Sequence, residues 1–193
     1  MGTELIQQIR NQTGAGVLDI KKALVEAKND ANKAIELLRK KGEKIAAKKQ
    51  ARVTSEGLVE AYIHGNGRVG VLVKLNCETD FVARTNQFKE LAHQLVLHVA
   101  AYNPTYLSPE EVPAELVAKE KEVYTVLLAK ENKPANMMEK IIAGKLQKYY
   151  AEVCLLQQPF MFDETKTVQQ IITGRIAELG ENIKVAEFKR ISL

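Results

Sequence analysis

Residues 58–76 read LVEAYIHGNGRVGVLVKLN, and they decide the fold class. Leu58 to His64 and Arg68 to Asn76 are rich in β-branched residues and bracket Gly65-Asn66-Gly67. Two strand-like runs around such a turn are a hairpin signal. Val59, Ala61 and Ile63 share one face of the first strand. Val69, Val71, Val73 and Leu75 share one face of the second. Since side chains alternate along a strand, this predicts one buried face under helices. Phe88, Leu91, Leu95 and Val99 fit a helix that could cover it.

Upstream of the hairpin the period is helical. Leu5, Ile6 and Ile9 mark a short helix that stops at Thr13-Gly14-Ala15-Gly16. Val17, Ile20, Leu24 and Ala27 predict a second helix, and Asn29-Asp30 breaks it and can cap the next. Ala31, Ala34, Ile35 and Leu38 give the third an apolar face, with Gly42 as its expected end. Residues 1–42 therefore read as a small three-helix domain, and 43–56 as a basic link. Residues 57–193 form the remainder, an α+β core. Downstream, Leu116, Val123 and Leu127 form a narrow seam, Asn132-Lys133-Pro134 a tip, and Met138, Ile141, Ile142 and Tyr149 a returning helix. That pattern predicts an antiparallel helical hairpin over 114–150. Leu155-Leu156 opens an expected strand closed by Pro159-Phe160. Val168, Ile171, Ile172 and Ile176 suggest a helix, and Ile183 to Ile191 a final strand.

Composition bounds the function. The 193 residues are 46% hydrophobic and 27% charged, an ordinary balance for a soluble globular protein. The net charge of +4 is too slight to announce a nucleic-acid binder. Residues 1–52 hold twelve basic and six acidic side chains, so the excess lies at the N-terminal end. Cys77 and Cys154 are far apart and lack a CxxC partner, which excludes zinc ribbons and thioredoxin-type sites and fits a reducing compartment. No apolar run approaches the roughly 20 residues of a membrane span. There is no signal-peptide pattern, and the chain reads as cytosolic or as the mature form of an organelle protein.

Few residues carry chemistry. Gly14-Ala15-Gly16 lacks the third glycine and the preceding strand of a dinucleotide fingerprint. It reads as a tight turn presenting Val17 and Leu18, either to a protein partner or, more commonly, to the bundle interior. His93 and His98 are five apart, about 140° around a helix, so they share no face for zinc. Cys77 has no assigned base, and no GxSxG elbow exists. Glu78 and Asp80 flank Thr79, and Phe81-Val82 follow at once. On local grounds Phe81 is a core residue of the covering helix and Asp80 its cap. The alternative is a wedge, with Phe81 entering a partner's pocket while Asp80 disturbs polar groups nearby. The run Arg39-Lys40-Lys41, Lys44 and Lys48-Lys49 could meet phosphate, but it has Glu43 within it and no interleaved aromatics.

The stretches Thr13–Leu24, TGAGVLDIKKAL, and Cys77–Arg84, CETDFVAR, closely resemble the two signatures of the elongation factor Ts family. Gln158-Pro159-Phe160 and the closing Ile176–Ile183, IAELGENI, also look like that family's pieces, and the resemblance covers nearly the whole chain. It implies an N-terminal ubiquitin-associated-like bundle, a linker, and an α+β core with an antiparallel sheet and a protruding helical hairpin. It implies guanine nucleotide exchange on elongation factor Tu, bound in its GDP-loaded and nucleotide-free forms, with no covalent step. Asp80 and Phe81 match the pair that pushes near the partner's magnesium and phosphate site, with Thr79 and Val82 flanking it. Val17, Leu18 and Lys21 match the N-terminal contact, where Met-Met is common in place of Val17-Leu18. Lys49 matches a linker lysine, and His64 resembles a histidine of longer members. Met161 and Phe162 match another partner-facing stretch.

Long members have two similar core halves, and this chain has one. Short members resemble it and work as homodimers, so Phe81 and His64 acting on one partner are expected from different subunits. No cofactor, own metal, membrane or direct nucleic acid is expected, and the setting is bacterial cytoplasm or an organelle matrix. The competing classes are an RNA-binding protein using the basic N-terminal unit, and an enzyme using Glu78, Asp80 or Cys77.

Overall fold

The computed structural model describes residues 3–130 and 135–193. They divide into two compact units, residues up to 97 together with 170–193, and residues 98–169. The architecture is α+β with an antiparallel sheet.

The first unit begins with α1 (Thr3–Thr13), α2 (Val17–Glu26) and α3 (Ala31–Lys49). Their shared core is aliphatic, with Ile6, Ile9, Ile20, Leu24, Ala34 and Leu38 buried. Lys28 and Asn29 take φ of 52° and 64° and turn the chain. The Asp30 carboxylate then accepts from the Lys33 amide at 3.1 Å and caps α3, as its position before the apolar run predicts. The expected helix end at Gly42 is absent, because α3 runs on to Lys49. A helical glycine costs only about 1 kcal/mol relative to alanine. Here the missing side chain permits close packing: a Cβ at Gly42 would lie 3.3 Å from the Ala177 Cβ. Ala177 belongs to α8 (Val168–Leu179). The basic residues to Lys49 therefore complete α3, and only 50–55 form a non-helical link.

The sheet has the order β1-β2-β5, all antiparallel, from β1 (Glu56–His64), β2 (Val69–Cys77) and β5 (Lys184–Ser192). Gly65, Asn66 and Gly67 all adopt positive φ, and the Arg68 amide donates to the His64 carbonyl at 3.1 Å. The register corrects one expectation. Val59, Ala61 and Ile63 pair with Lys74, Leu72 and Gly70, opposite in parity to Val71, Val73 and Leu75. The apolar set of β1 thus lies on the outer face, with Val59 and Ile63 62% and 66% exposed. Alternation fixes which residues of a strand share a face, but the turn fixes how two strands align. On the inner face Val71, Val73 and Leu75 are buried. Glu60 shares that face through its pairing with Val73, and it meets His93 at 3.1 Å. This places α5 (Asn86–Tyr102) on the inner side, where Phe88, Leu91 and Leu95 are fully buried. Gly57 holds a φ of 148°, and a Cβ there would fall 2.1 Å from the Leu75 carbonyl oxygen. Only glycine fits this approach of β1 to β2.

In the second unit α6 (Ala114–Lys130) packs on α7 (Ala135–Val153). Lys145 lies 5.5 Å from the Tyr124 ring centre, and Tyr149 feels the charge of Glu120. Rising numbers on one helix therefore meet falling numbers on the other, as in an antiparallel pair. The expected seam is displaced. Leu116, Val123 and Leu127 are exposed, whereas Leu128 and Leu146 are buried and Tyr124 and Tyr149 half-buried. The inward stripe of α6 is Val117, Glu120, Tyr124 and Leu128, which helical spacing allows but apolarity alone disguises. The expected tip at Asn132-Lys133-Pro134 lies outside the described residues. Leu155-Leu156 does not start a strand. Residues Leu155–Gln157 form a 3₁₀ turn, and the two-residue β3 (Pro159–Phe160) pairs with β4 (Asp163–Thr167). Cys154 and Leu155 are both buried there, and the Leu155 and Leu156 amides donate to the Tyr106 and Leu107 carbonyls at 2.9 and 3.0 Å, an isolated bridge and not a strand. Among the described residues no helix is long and apolar enough to cross a membrane.

Candidate functional site

The conspicuous feature of the first unit is the turn that leaves β2. Cys77 ends the strand, buried, and burial pushes its thiol up to about 11. At neutral pH it is no thiolate, so it is a poor nucleophile. Cys154 is likewise buried and pushed up to about 11. Thr79 follows in extended conformation and caps the four-residue α4 (Asp80–Ala83), its hydroxyl accepting from the Val82 amide at 3.4 Å. The cap is therefore Thr79, where local reading expected Asp80. Nor is Phe81 a core residue: it is 78% exposed. Residues two apart on a helix point about 200° from each other. Burying Ala83 and capping with Thr79 therefore turn Phe81 outward. Asp80, beside it, pairs with Arg84 at 2.8 Å. Both partners of that pair are exposed, so redirecting the carboxylate costs at most about 1 kcal/mol.

This turn is held from behind. The Glu181 Oε2 accepts from the amides of Glu78 and Thr79 at 3.1 and 3.0 Å, and its Oε1 accepts from the Thr79 hydroxyl at 2.6 Å. Glu78 in return accepts from the Asn182 amide at 2.7 Å and pairs with Arg52 at 3.2 Å. The Asn182 amide bond, followed by Arg52, holds the Glu78 carboxyl below its ordinary range. Lys49 donates to the Gly180 carbonyl, one residue before Glu181. The sequence links none of these contacts, because they join residues between 26 and 131 positions apart.

The N-terminal candidate surface is different. Gly16 starts α2 without a side-chain cap. Ile20 and Leu24 point into the core, while Val17 is partly exposed and Leu18 is 75% exposed. Lys21 is exposed one turn on from Leu18. Exposure, the less common fate, is what these residues take. His64 is exposed at the end of β1, with the Tyr62 hydroxyl 2.8 Å from its Nδ1.

Met161 and Phe162 belong to the second unit, and the other candidates to the first. Phe162 is exposed beside the buried Phe160, their ring centres 5.4 Å apart. The Met161 amide donates to His98 Nδ1 at 3.3 Å, and His98 Nε2 is 2.9 Å from Gln158 Oε1. His98 is thus a neutral ring donating from Nε2, and burial keeps its pKa below the ordinary value. It supports the Met161 stretch from within, a role its sequence position does not reveal. On α3 the basic face is interrupted by acidic partners: Lys40 pairs with Glu36, Lys41 with Asp19 and Arg39 with Glu43. Among the described residues no three His, Cys, Asp or Glu side chains gather to hold a metal.

The sequence model of the family described as Elongation factor TS matches residues 1–193. Elongation factor Ts of Thermotoga petrophila is 53% identical over 190 residues, covering 98% of this chain and 94% of that protein. Elongation factor Ts of Moorella thermoacetica is 55% identical over 185 residues, covering 96% and 91%. That of Carboxydothermus hydrogenoformans is 49% identical over 191 residues, covering 99% and 88%. Nothing in these matches supports an RNA-binding protein. With the signatures at residues 13–24 and 77–84 in place, the chain belongs to the elongation factor Ts family.

Proposed function

We propose that this nucleotide exchange factor of translation elongation releases GDP from elongation factor Tu by wedging Asp80 and Phe81 into the partner. The observation that carries the reading is Phe81 itself: a large apolar ring, 78% exposed, on a turn fixed from behind. An isolated exposed aliphatic needs no explanation, but a pinned exposed aromatic is a typical anchor for a partner's pocket. Burying such a ring is worth roughly 1.5–3 kcal/mol. Only the share gained in the open, nucleotide-free partner drives exchange. By linkage, a factor that binds that state better must weaken GDP binding by the same ratio. Asp80 works beside the ring, turning from Arg84 toward the magnesium environment of the partner. That ion is the largest local charge holding the phosphates. Thr79 and Val82 flank the wedge.

Val17, Leu18 and Lys21 are the docking contact of an N-terminal domain of the ubiquitin-associated-like kind over 1–42, distant from the nucleotide. Lys49, His64, Met161 and Phe162 complete the partner-facing set. The residues from 57 onward form the dimerisation core, with the 114–150 hairpin as a projecting arm. The exposed apolar outer face of the sheet, Val59, Ile63, Leu72 and Ile191, supports pairing with a second copy. Phe81 and His64 acting on one partner then come from different subunits. An enforced monomer with full exchange activity would exclude that assignment. The protein works by binding alone, in the bacterial cytoplasm where its relatives' ribosomes are. The test is the release of fluorescent GDP from elongation factor Tu with and without this chain. Strong acceleration is expected; none, with no complex on gel filtration, would refute the reading.

A further inference from the structure

We propose that Glu181 is a positioning residue for exchange, its carboxylate setting the turn that aims Phe81. The inference rests on the exchange role proposed above. Two successive amides, of Glu78 and Thr79, converge on one Glu181 oxygen, and the Thr79 hydroxyl donates to the other. An ionised carboxylate only accepts, so a single group satisfies all three donors. Bonds to a charged acceptor are also shorter and stronger than neutral ones. The Thr79 hydroxyl in turn accepts from the Val82 amide, which carries the constraint into the helix bearing Phe81.

The carboxylate is itself fixed. Its neighbour Asn182 is 1% exposed and donates from its side chain to the carbonyls of Gln50 and Arg52 at 3.3 and 2.9 Å. Glu78 closes the frame by accepting from the Asn182 amide. The three bonds from Glu181 therefore run to backbone and hydroxyl groups two and three residues before Phe81, and to no apolar core. A ring held in one pose loses little freedom on insertion, whereas a ring on a slack turn must be ordered first. Slackness would be felt in the open state of the partner, where the ring is inserted, more than in the first encounter.

The experiment measures GDP release from elongation factor Tu against concentration of the full-length chain, for wild type, Glu181→Ala, Glu181→Gln, Phe81→Ala and the Phe81→Ala/Glu181→Ala double variant. Glu181→Ala is expected to lower the saturating rate by about tenfold and leave the half-saturating concentration within about twofold. Glu181→Gln keeps an acceptor for the two amides and should lose only about threefold. In the Phe81→Ala background, removing Glu181 should add nothing, since the ring it aims is gone. A merely structural role would reduce the active fraction, which shifts the half-saturating concentration and spares the saturating rate. That result, an unchanged saturating rate in both Glu181 variants, or a full additional loss in the double variant would overturn the proposal. Should Glu181→Ala fail to fold, the Gln variant alone and combined with Phe81→Ala carries the same comparison. Wild type that fails to accelerate release refutes the exchange reading, and this inference with it.

Discussion

Two turns of this chain offer an apolar side chain to solvent at the start of a helix, and they are held in opposite ways. Leu18 sits on α2 behind Gly16, which supplies no side-chain cap; its placement depends on Ile20 and Leu24 in a small aliphatic core. Phe81 sits on a helix of only four residues, which could not stand alone, and its turn is tied by charged hydrogen bonds to the segment before β5. Local helix physics suffices for the first. The second needs a distant frame. The side-chain hydrogen bonds are thus concentrated behind the ring that, in the reading proposed above, enters one pocket in one pose, and a simpler support serves the proposed docking leucine.

Removing the ring should show the largest difference between the two turns. Phe81→Ala should lower the saturating GDP-release rate by roughly 10- to 100-fold, the equivalent of a buried aromatic, with little change in docking. Next comes the frame. Asn182→Ala removes two hydrogen bonds from a side chain that is 1% exposed, to the carbonyls of Gln50 and Arg52, and should destabilise the protein by about 2 kcal/mol in urea unfolding. Ala substitutions at Val17 and Leu18 should leave folding stability nearly unchanged. A smaller effect belongs to Leu18 itself. Leu18→Ala should raise the half-saturating concentration about fivefold, near the value of one partly buried leucine, with the saturating rate unaltered. Loss of rate with preserved docking would make the two turns equivalent in function.

The smallest effect sharpens the electrostatic side. The Glu78 carboxyl in the folded chain lies below its ordinary value of 4.5, because of the Asn182 amide first and Arg52 after it. Its folded-state value is depressed, so its contribution is present above about 4.5 and is lost as pH falls through the folded value. Glu78→Gln should therefore flatten the loss of stability below pH 4.5 in thermal unfolding. An acid limb as steep as in wild type would mean the carboxylate frame carries no such coupling.

What the sequence discloses divides along the same line. The hairpin at Gly65-Asn66-Gly67, the Asp30 cap and the three-helix core follow from local spacing and turn chemistry, and the structure has them all. The face of β1 was legible only as a set of residues, since register is a property of two strands together. The end of α3 was misleading because Gly42 serves close packing on Ala177 and not termination. Among the candidate residues, Val17, Leu18, Asp80 and Phe81 stand out through the family's signatures, whereas period and propensity alone would bury Val17, Leu18 and Phe81 and make Asp80 a cap. Glu181, Asn182 and His98 had no local signal. Each matters through a hydrogen bond to a segment more than fifty residues away, so only the folded chain brings their partners into view.

The most direct test compares complete saturation curves of GDP release from elongation factor Tu for wild type and Phe81→Ala. If Phe81 is a wedge on a fixed turn, the variant reaches a far lower plateau at nearly the wild-type half-saturating concentration. A curve that regains the wild-type plateau at higher concentration would mean that Phe81 only contributes affinity, and the wedge would be wrong.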